Sequence, residues 1–179
     1  MRIFGAYGEE QVYGLPTFLK TVYNGISAVP WKKTLASYVH RDDISRAALY
    51  LAEHHQGNKN AYMPSQVAYN LADKTPASML DLSRALKKVK RHITLPLPSW
   101  LVRFSGWVGD LLNLKELNSR ITKLGLNNYA ADCAKLVKTG FEHKHPSVLE
   151  SMPLVYKSYA EQWNAEKRER KLLPAKRES

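Results

Sequence analysis

The chain has one cysteine, Cys133, so no intrachain disulfide can form and stability must come from packing. A lone thiol fits a reducing compartment, and the expected location is cytoplasmic. No apolar run reaches the roughly 18 residues a membrane span needs. Residues 1–14 lack an apolar h-region, so no signal peptide is expected. Acidic residues are few: 16 Asp plus Glu stand against 27 Lys plus Arg, a formal net charge of +11. What is present suits a globular fold. With 44 % apolar residues in 179, the chain can bury one real core, which excludes a disordered, collagenous or disulfide-scaffold protein.

The positive charge is concentrated. Arg84, Lys87, Lys88, Lys90, Arg91 and Arg103 fall in a window without an acid. Lys167, Arg168, Arg170, Lys171, Lys176 and Arg177 crowd the tail, diluted by Glu166, Glu169 and Glu178. A solvated helix face and a frayed tail explain both groups, with an anionic membrane surface as the functional alternative. Neither zinc-finger spacing nor an aromatic, Gly-rich RNA-binding strand occurs, which speaks against nucleic acid.

Strand-like and helical patterns alternate. Arg2-Ile3-Phe4 reads as a strand running into a Gly5–Gly8 turn. Leu15–Tyr23 reads as a helix with Pro16 in its first turn and Asn24-Gly25 as its stop. Residues 37–40 are strand-like and lead into Asp42-Asp43, expected to cap a helix over 44–54 that Gly57 and Asn58 end. Residues 67–72 read as a buried strand, Ser78 as the cap of the next helix, and 92–97 as another strand. A strongly apolar helix is expected over 98–114, a strand or extended loop over 121–126, and a short helix over 129–138. A long amphipathic helix over 146–163 would begin at Pro146 and fray beyond Trp163. This order predicts α/β, with few strands packed against several helices.

The order of motifs resembles a known family. Arg2-Ile3-Phe4-Gly5-Ala6-Tyr7-Gly8 is similar to the R-x-x-N-x-Y-G element of extended short-chain dehydrogenase/reductases, the NAD-dependent epimerase/dehydratase family. Residues 38–47, from Tyr38-Val39-His40-Arg41-Asp42-Asp43 to Ala47, resemble its F-V-H-V-D-D-V-A-R-A joint. Tyr69-Asn70-Leu71-Ala72 with Ser78-Met79-Leu80-Asp81-Leu82 resembles Y-N-V-G … S-x-x-E-L, and residues 132–141 resemble D-x-S-K-A-x-x-x-L-G-F. The likeness covers residues 1–164, leaving 165–179 as a charged tail. It implies the C-terminal, substrate-binding half of such an enzyme, α+β-like as a fragment.

The other half has no counterpart here. The family's Gly-rich turn brings backbone to a pyrophosphate at a helix N-terminus. The nine glycines never take that spacing. The family's Tyr-x-x-x-Lys pair is absent as well, since none of the ten tyrosines has Lys four residues later. The isolated chain is therefore expected to bind no cofactor and to be inactive alone, NAD(P) being implied only for an intact or complemented enzyme. No catalytic residue is assigned. Where nucleotide-sugar members carry an Arg before the F-V-H element, this chain has Ala36, which shifts the implied substrate toward a less polar, lipid-like alcohol.

The resemblance makes Gly5, Tyr7 and Gly8 substrate-side candidates, with an ordinary strand-ending turn as the plain alternative. Trp100, Phe104, Trp107 and Leu111 stack at helical spacing and would lie by a substrate cleft, in the core, or at a membrane interface. Glu142, His143 and His145 look like metal ligands but lack a fourth partner, so no metal is assigned. His54-His55 suits a helix C-terminus, and Cys133 a structural role. Ser37, His40 and Asp42 are rejected as a triad, because no nucleophile elbow precedes Ser37. Three functions follow as expectations: the substrate-binding portion of an oxidoreductase, completed by a Rossmann-bearing chain or a homo-oligomer; a non-catalytic binding or scaffold module for a hydrophobic small molecule; and a peripheral membrane protein.

Overall fold

The first extended segment changes partners at Gly5. β1 (Arg2–Ile3) pairs in parallel with β5 (Asn70–Leu71), and β2 (Ala6–Tyr7) pairs in parallel with β4 (Val39–His40). Between them, a Cβ on Gly5 would sit 2.6 Å from the Ser37 carbonyl oxygen. Only glycine lets the two backbones approach that closely. This computed structural model describes residues 1–9, 15–56, 68–114 and 118–172. The expected helix stop at Gly57-Asn58, the start of the expected strand at Val67, the side chains of His54 and His55, and the tail from residue 173 lie outside the described residues.

A third parallel pair joins β3 (Ile26–Pro30) to β6 (Ile93–Leu97), in register from Ile26 opposite Ile93 to Pro30 opposite Leu97. Parallel neighbours require crossovers, and helices supply them. α1 (Leu15–Tyr23) precedes β3, α2 (Arg41–Gln56) leaves β4 directly, and α3 (Met79–Leu86) precedes β6. α4 (Ser99–Leu111), α5 (Ser119–Leu126), the single turn α6 (Ala134–Val137) and α7 (Val148–Leu172) follow. The class is mixed α/β, as the alternation predicts.

Two clusters form the core. In the larger, Leu19 and Val22 of α1, Val29 of β3, Leu82 and Leu86 of α3, and Met152 of α7 are each fully buried. In the smaller, Val39, Ala47, Leu71, Leu136 and Phe141 pack β4 and β5 under α2. α3 begins with a complete capping box: Ser78 Oγ accepts the Asp81 N–H at 3.2 Å, and Asp81 Oδ2 accepts the Ser78 N–H at 3.2 Å. That satisfies two donors left over at the helix start.

Several expectations are corrected. Residues 26–30 form a strand, because Ser27 and Val29 point into the core and Ser27 Oγ hydrogen-bonds Ser83 Oγ at 2.8 Å. Residues 119–126 form a helix, not a strand, and the helix expected over 129–138 is confined to 134–137, because Tyr129 bridges Ala36, which also bridges Ala77. α7 begins after Pro146 and continues to Leu172, past the expected fraying point. Val39 and Leu71 are fully buried, whereas Ile3 is half exposed. The open apolar face is that of β3 and β6, where Ile26, Ile93 and Leu95 meet solvent.

Candidate functional site

Polar groups gather where β4 enters α2. Asp43 lies in the first turn of α2 with its side chain completely buried. It does not act as a cap. Its two oxygens accept the backbone N–H groups of Lys144 and His145, at 2.8 Å each, and Oδ1 also meets Arg46 Nη1 at 3.0 Å. The sequence pattern gave no sign of this long-range tie, because both partners are backbone groups about a hundred residues away.

The tie brings His145 over His40, with ring centroids 3.8 Å apart and planes 30° from parallel. The Asp42 N–H donates to His40 Nδ1 at 3.2 Å, which leaves the His40 proton on Nε2. Burial and then His145 hold the His40 pKa below its ordinary value. Asp42 Oδ2 lies 3.4 Å from His145 Nε2 and 3.3 Å from Lys144 Nζ. Its small burial works to raise its pKa, but the Lys144 hydrogen bond and His40 outweigh that and hold it low. Among the described residues, His40, Asp42 and His145 are the group with metal-ligating atoms close together, all within 4.8 Å. Glu142, His143 and His145, to which no metal is assigned, do not come together as a group. His143 packs edge-on against Phe141 instead, with its ring beside the Ala72 backbone. The backbone bond to His40 Nδ1 and the lysine on Asp42 already occupy donors that a cation would need. The arrangement reads as a structural network.

Tyr7, 1 % exposed, extends that network inward. Its ring packs edge-on against Tyr38 and His40, and its hydroxyl donates to Asp73 Oδ2 at 3.4 Å. Burial raises the Asp73 pKa to about 7 and the Tyr7 pKa far above its ordinary value. The Gly8 carbonyl accepts from Tyr159 Oη at 3.2 Å. In this chain Tyr7 therefore presents no surface to a ligand. Gly5 serves the strand switch, and Gly8 ties the segment to α7.

α4 is the opposite case. Trp100, Phe104 and Trp107 are 68 %, 53 % and 59 % exposed, and Leu111 is 71 % exposed. The buried residues of α4 are Gly106 and Gly109. A Cβ on Gly106 would collide with the Thr122 side chain and lie 3.1 Å from Ser119 Cα, so α5 occupies the glycine side. Of the three placements open to this helix, plain core packing does not fit that exposure. Its large side chains form a surface, and the six candidates divide between a buried strand segment and this open helix.

No family model matches the chain, and no curated protein matches it. Solved structures do. A UDP-galactose 4-epimerase matches with a TM-score of 0.59 and 15 % identity, over 90 % of this chain and 45 % of its own. A human epimerase family protein with NADPH matches with a TM-score of 0.60 and 14 % identity, over 87 % of this chain and 47 % of its own. MlghC, a GDP-mannoheptose C4 reductase from Campylobacter jejuni with NADP bound, matches with a TM-score of 0.54 and 13 % identity, over 87 % and 47 %. The chain has an epimerase and reductase fold over about half the length of those enzymes. Identities this low show the fold alone. No helix among the described residues is long and apolar enough to cross a membrane.

Proposed function

We propose that this chain is the substrate-side lobe of an extended short-chain dehydrogenase/reductase, working in an NAD(P)-dependent oxidoreduction or epimerisation with a second lobe that carries the cofactor turn and the Tyr-x-x-x-Lys pair. The observation that carries this reading is the asymmetry of coverage: nearly all of this chain matches under half of each enzyme. NAD(P), bound mainly by the other lobe, would supply the hydride chemistry. The part of this chain is to hold a substrate. Support for a weakly polar substrate comes from position 36, where Ala36 is engaged through its backbone with Ala77 and offers no charge for a phosphate. Nearby Lys33 Nζ is turned toward Asp81 at 3.9 Å.

The test compares this chain alone with the same chain co-expressed with, or extended by, the coding sequence upstream of it. NADPH binding is read by fluorescence and calorimetry. The expected result is no binding by the chain alone and single-site micromolar binding by the completed protein. Micromolar single-site binding by the chain alone would overturn the reading, as would an upstream sequence with no Gly-rich turn and no Tyr-x-x-x-Lys.

A further inference from the structure

His40 and His145 stack with ring centroids 3.8 Å apart, yet their nitrogens meet different partners. His40 Nδ1 accepts the Asp42 N–H at 3.2 Å, so a proton arriving there would set two donors against each other. Asp42 Oδ1 is 3.8 Å from that nitrogen, too far to accept the new proton where it stands. The nitrogens of His145 have an oxygen 3.4 Å away on either side, Asp42 Oδ2 beyond Nε2 and Ser151 Oγ beyond Nδ1. An extra proton on His145 therefore finds an acceptor, and one on His40 does not. His40 is buried and His145 partly so, both by elements of this chain, so the arrangement does not rest on what a second lobe would cover.

We propose that the His40–His145 stack is an acid-released latch on the 143–145 loop, which holds while at most one ring is charged and parts when both are. Two charged rings at that separation repel, and the proton on His40 also costs the Asp42 N–H its acceptor. The loop backbone cannot back away freely, because Asp43 holds the Lys144 and His145 N–H groups at 2.8 Å each, so relief has to loosen those bonds. Other charges surround the pair. From α2, Asp42 and Asp43 favour a proton on His40 and Arg41 opposes it, while Arg46 is held by Asp43 at 3.0 Å. From the loop, Lys144 lies 3.3 Å from Asp42, and His143 feels Asp43, Lys74 and Arg46. From β2, Tyr7 packs edge-on against His40, with Asp73 behind its hydroxyl. α7 contributes the Ser151 hydroxyl. Burial and His145 outweigh the two carboxylates, since the His40 pKa lies below its ordinary value. A lowered pKa gives the direction: the closed latch is fully stable above about pH 6.5 and is lost as pH falls below it. The latch does not depend on the oxidoreductase reading above.

The experiment is an NMR titration of the full chain from about pH 7.5 to about pH 5, the range in which histidines change charge. Imidazole nitrogen shifts report the protons on each ring. Amide exchange, corrected for its intrinsic pH dependence, reports protection at Lys144 and His145 against that at Leu82 and Leu86 of α3. The expected result is a His40 ring that carries its proton on Nε2 near pH 7 and gains the Nδ1 proton only below about pH 6.5. Over the same interval loop protection should fall about tenfold or more relative to α3. His40→Asn offers an oxygen to the Asp42 N–H but takes up no proton, so its loop protection should stay level with that of α3. Loop protection that follows α3 down to about pH 5 in the parent overturns the proposal, as does a fall whose midpoint departs from that of His40 Nδ1. An equal fall in His40→Asn also overturns it and assigns the effect to His143. If His40→Asn does not fold, agreement or disagreement of the two midpoints in the parent decides. No arm measures cofactor binding, so failure here and failure of the oxidoreductase reading are distinguishable.

Discussion

Tyr7 donates its hydroxyl to the Asp73 carboxylate at 3.4 Å, and both residues are about 1 % exposed. Burial penalises the ionised carboxylate and the Asp43 charge adds to that, outweighing the Tyr7 hydroxyl and the Val148 backbone, so the pKa rises to about 7.

The Asp73 shift predicts a pH dependence. Its folded pKa lies above its unfolded one, so the folded state holds a proton that the unfolded state releases. The stability this contributes is fully present below the unfolded value near 4 and is lost as pH rises through about 7. The loss is on the order of 2–4 kcal/mol. Asp73→Asn keeps an acceptor for Tyr7 but cannot ionise. The variant should therefore melt progressively higher than the parent between about pH 4 and pH 8, with the gap levelling off above that range. His40 and His143 have lowered pKa values and push the opposite way below about pH 6.5, so the gap between the two proteins is the quantity to read. A gap that stays constant across the range would show that Asp73 is ionised throughout.

Asp43 gives a second prediction. Asp43→Ala removes the acceptor of two backbone N–H groups and one arginine, and should cost about 3 kcal/mol by denaturant titration. The 143–145 loop should also gain amide exchange ahead of global unfolding. Asp43→Asn, with a single acceptor oxygen, should recover about half of that loss. Unchanged exchange at Lys144 and His145 in the alanine variant would show that the loop is held by other contacts.

Gly106 gives a third. Alanine is the better helix former by about 1 kcal/mol. Yet Gly106→Ala should destabilise by about 1–3 kcal/mol, because its Cβ has no room beside Thr122 and Ser119. Adding Thr122→Ala should recover part of the loss, since it removes the colliding side chain. A Gly106→Ala protein as stable as the parent would mean that the α4–α5 seam is loose.

Exposure gives a fourth. Trp100→Ala should change stability by less than about 1 kcal/mol, while Met152→Ala, at the centre of the larger cluster, should cost about 2–5 kcal/mol. Chemical denaturation of both variants measures the contrast. A loss at Trp100 as large as that at Met152 would place the ring in a core.

Much of the local structure was legible in the residues. The Ser78-x-x-Asp81 box, the α1 stripe with Pro16 at its start, the β6 run closed by prolines and the apolar periodicity of α4 each carry their own signal, because the interactions that make them lie within a few residues. β3 was not legible: Ile26-Ser27-Ala28-Val29-Pro30 is short and partly polar, and it becomes a strand by pairing with β6 and by the Ser27–Ser83 hydrogen bond. α5 misread as extended for the same reason, since Ile121 and Leu126 fit either period until Thr122 meets Gly106.

The candidate sites divide along the same line. By itself the sequence determined that residues 98–114 carry an apolar helical stripe, of which Ser99–Leu111 is helix, that the chain is basic, and that neither a Gly-rich turn nor Tyr-x-x-x-Lys is present. Those facts concern composition and spacing, and they hold in any fold. Only the tertiary structure decided that Tyr7 is buried against Asp73, that Asp43 holds a loop a hundred residues away, and that α4 turns its tryptophans outward. Periodicity states how much apolar surface a helix carries, but which side meets a neighbour depends on how closely two backbones approach, and here Gly106 sets that approach.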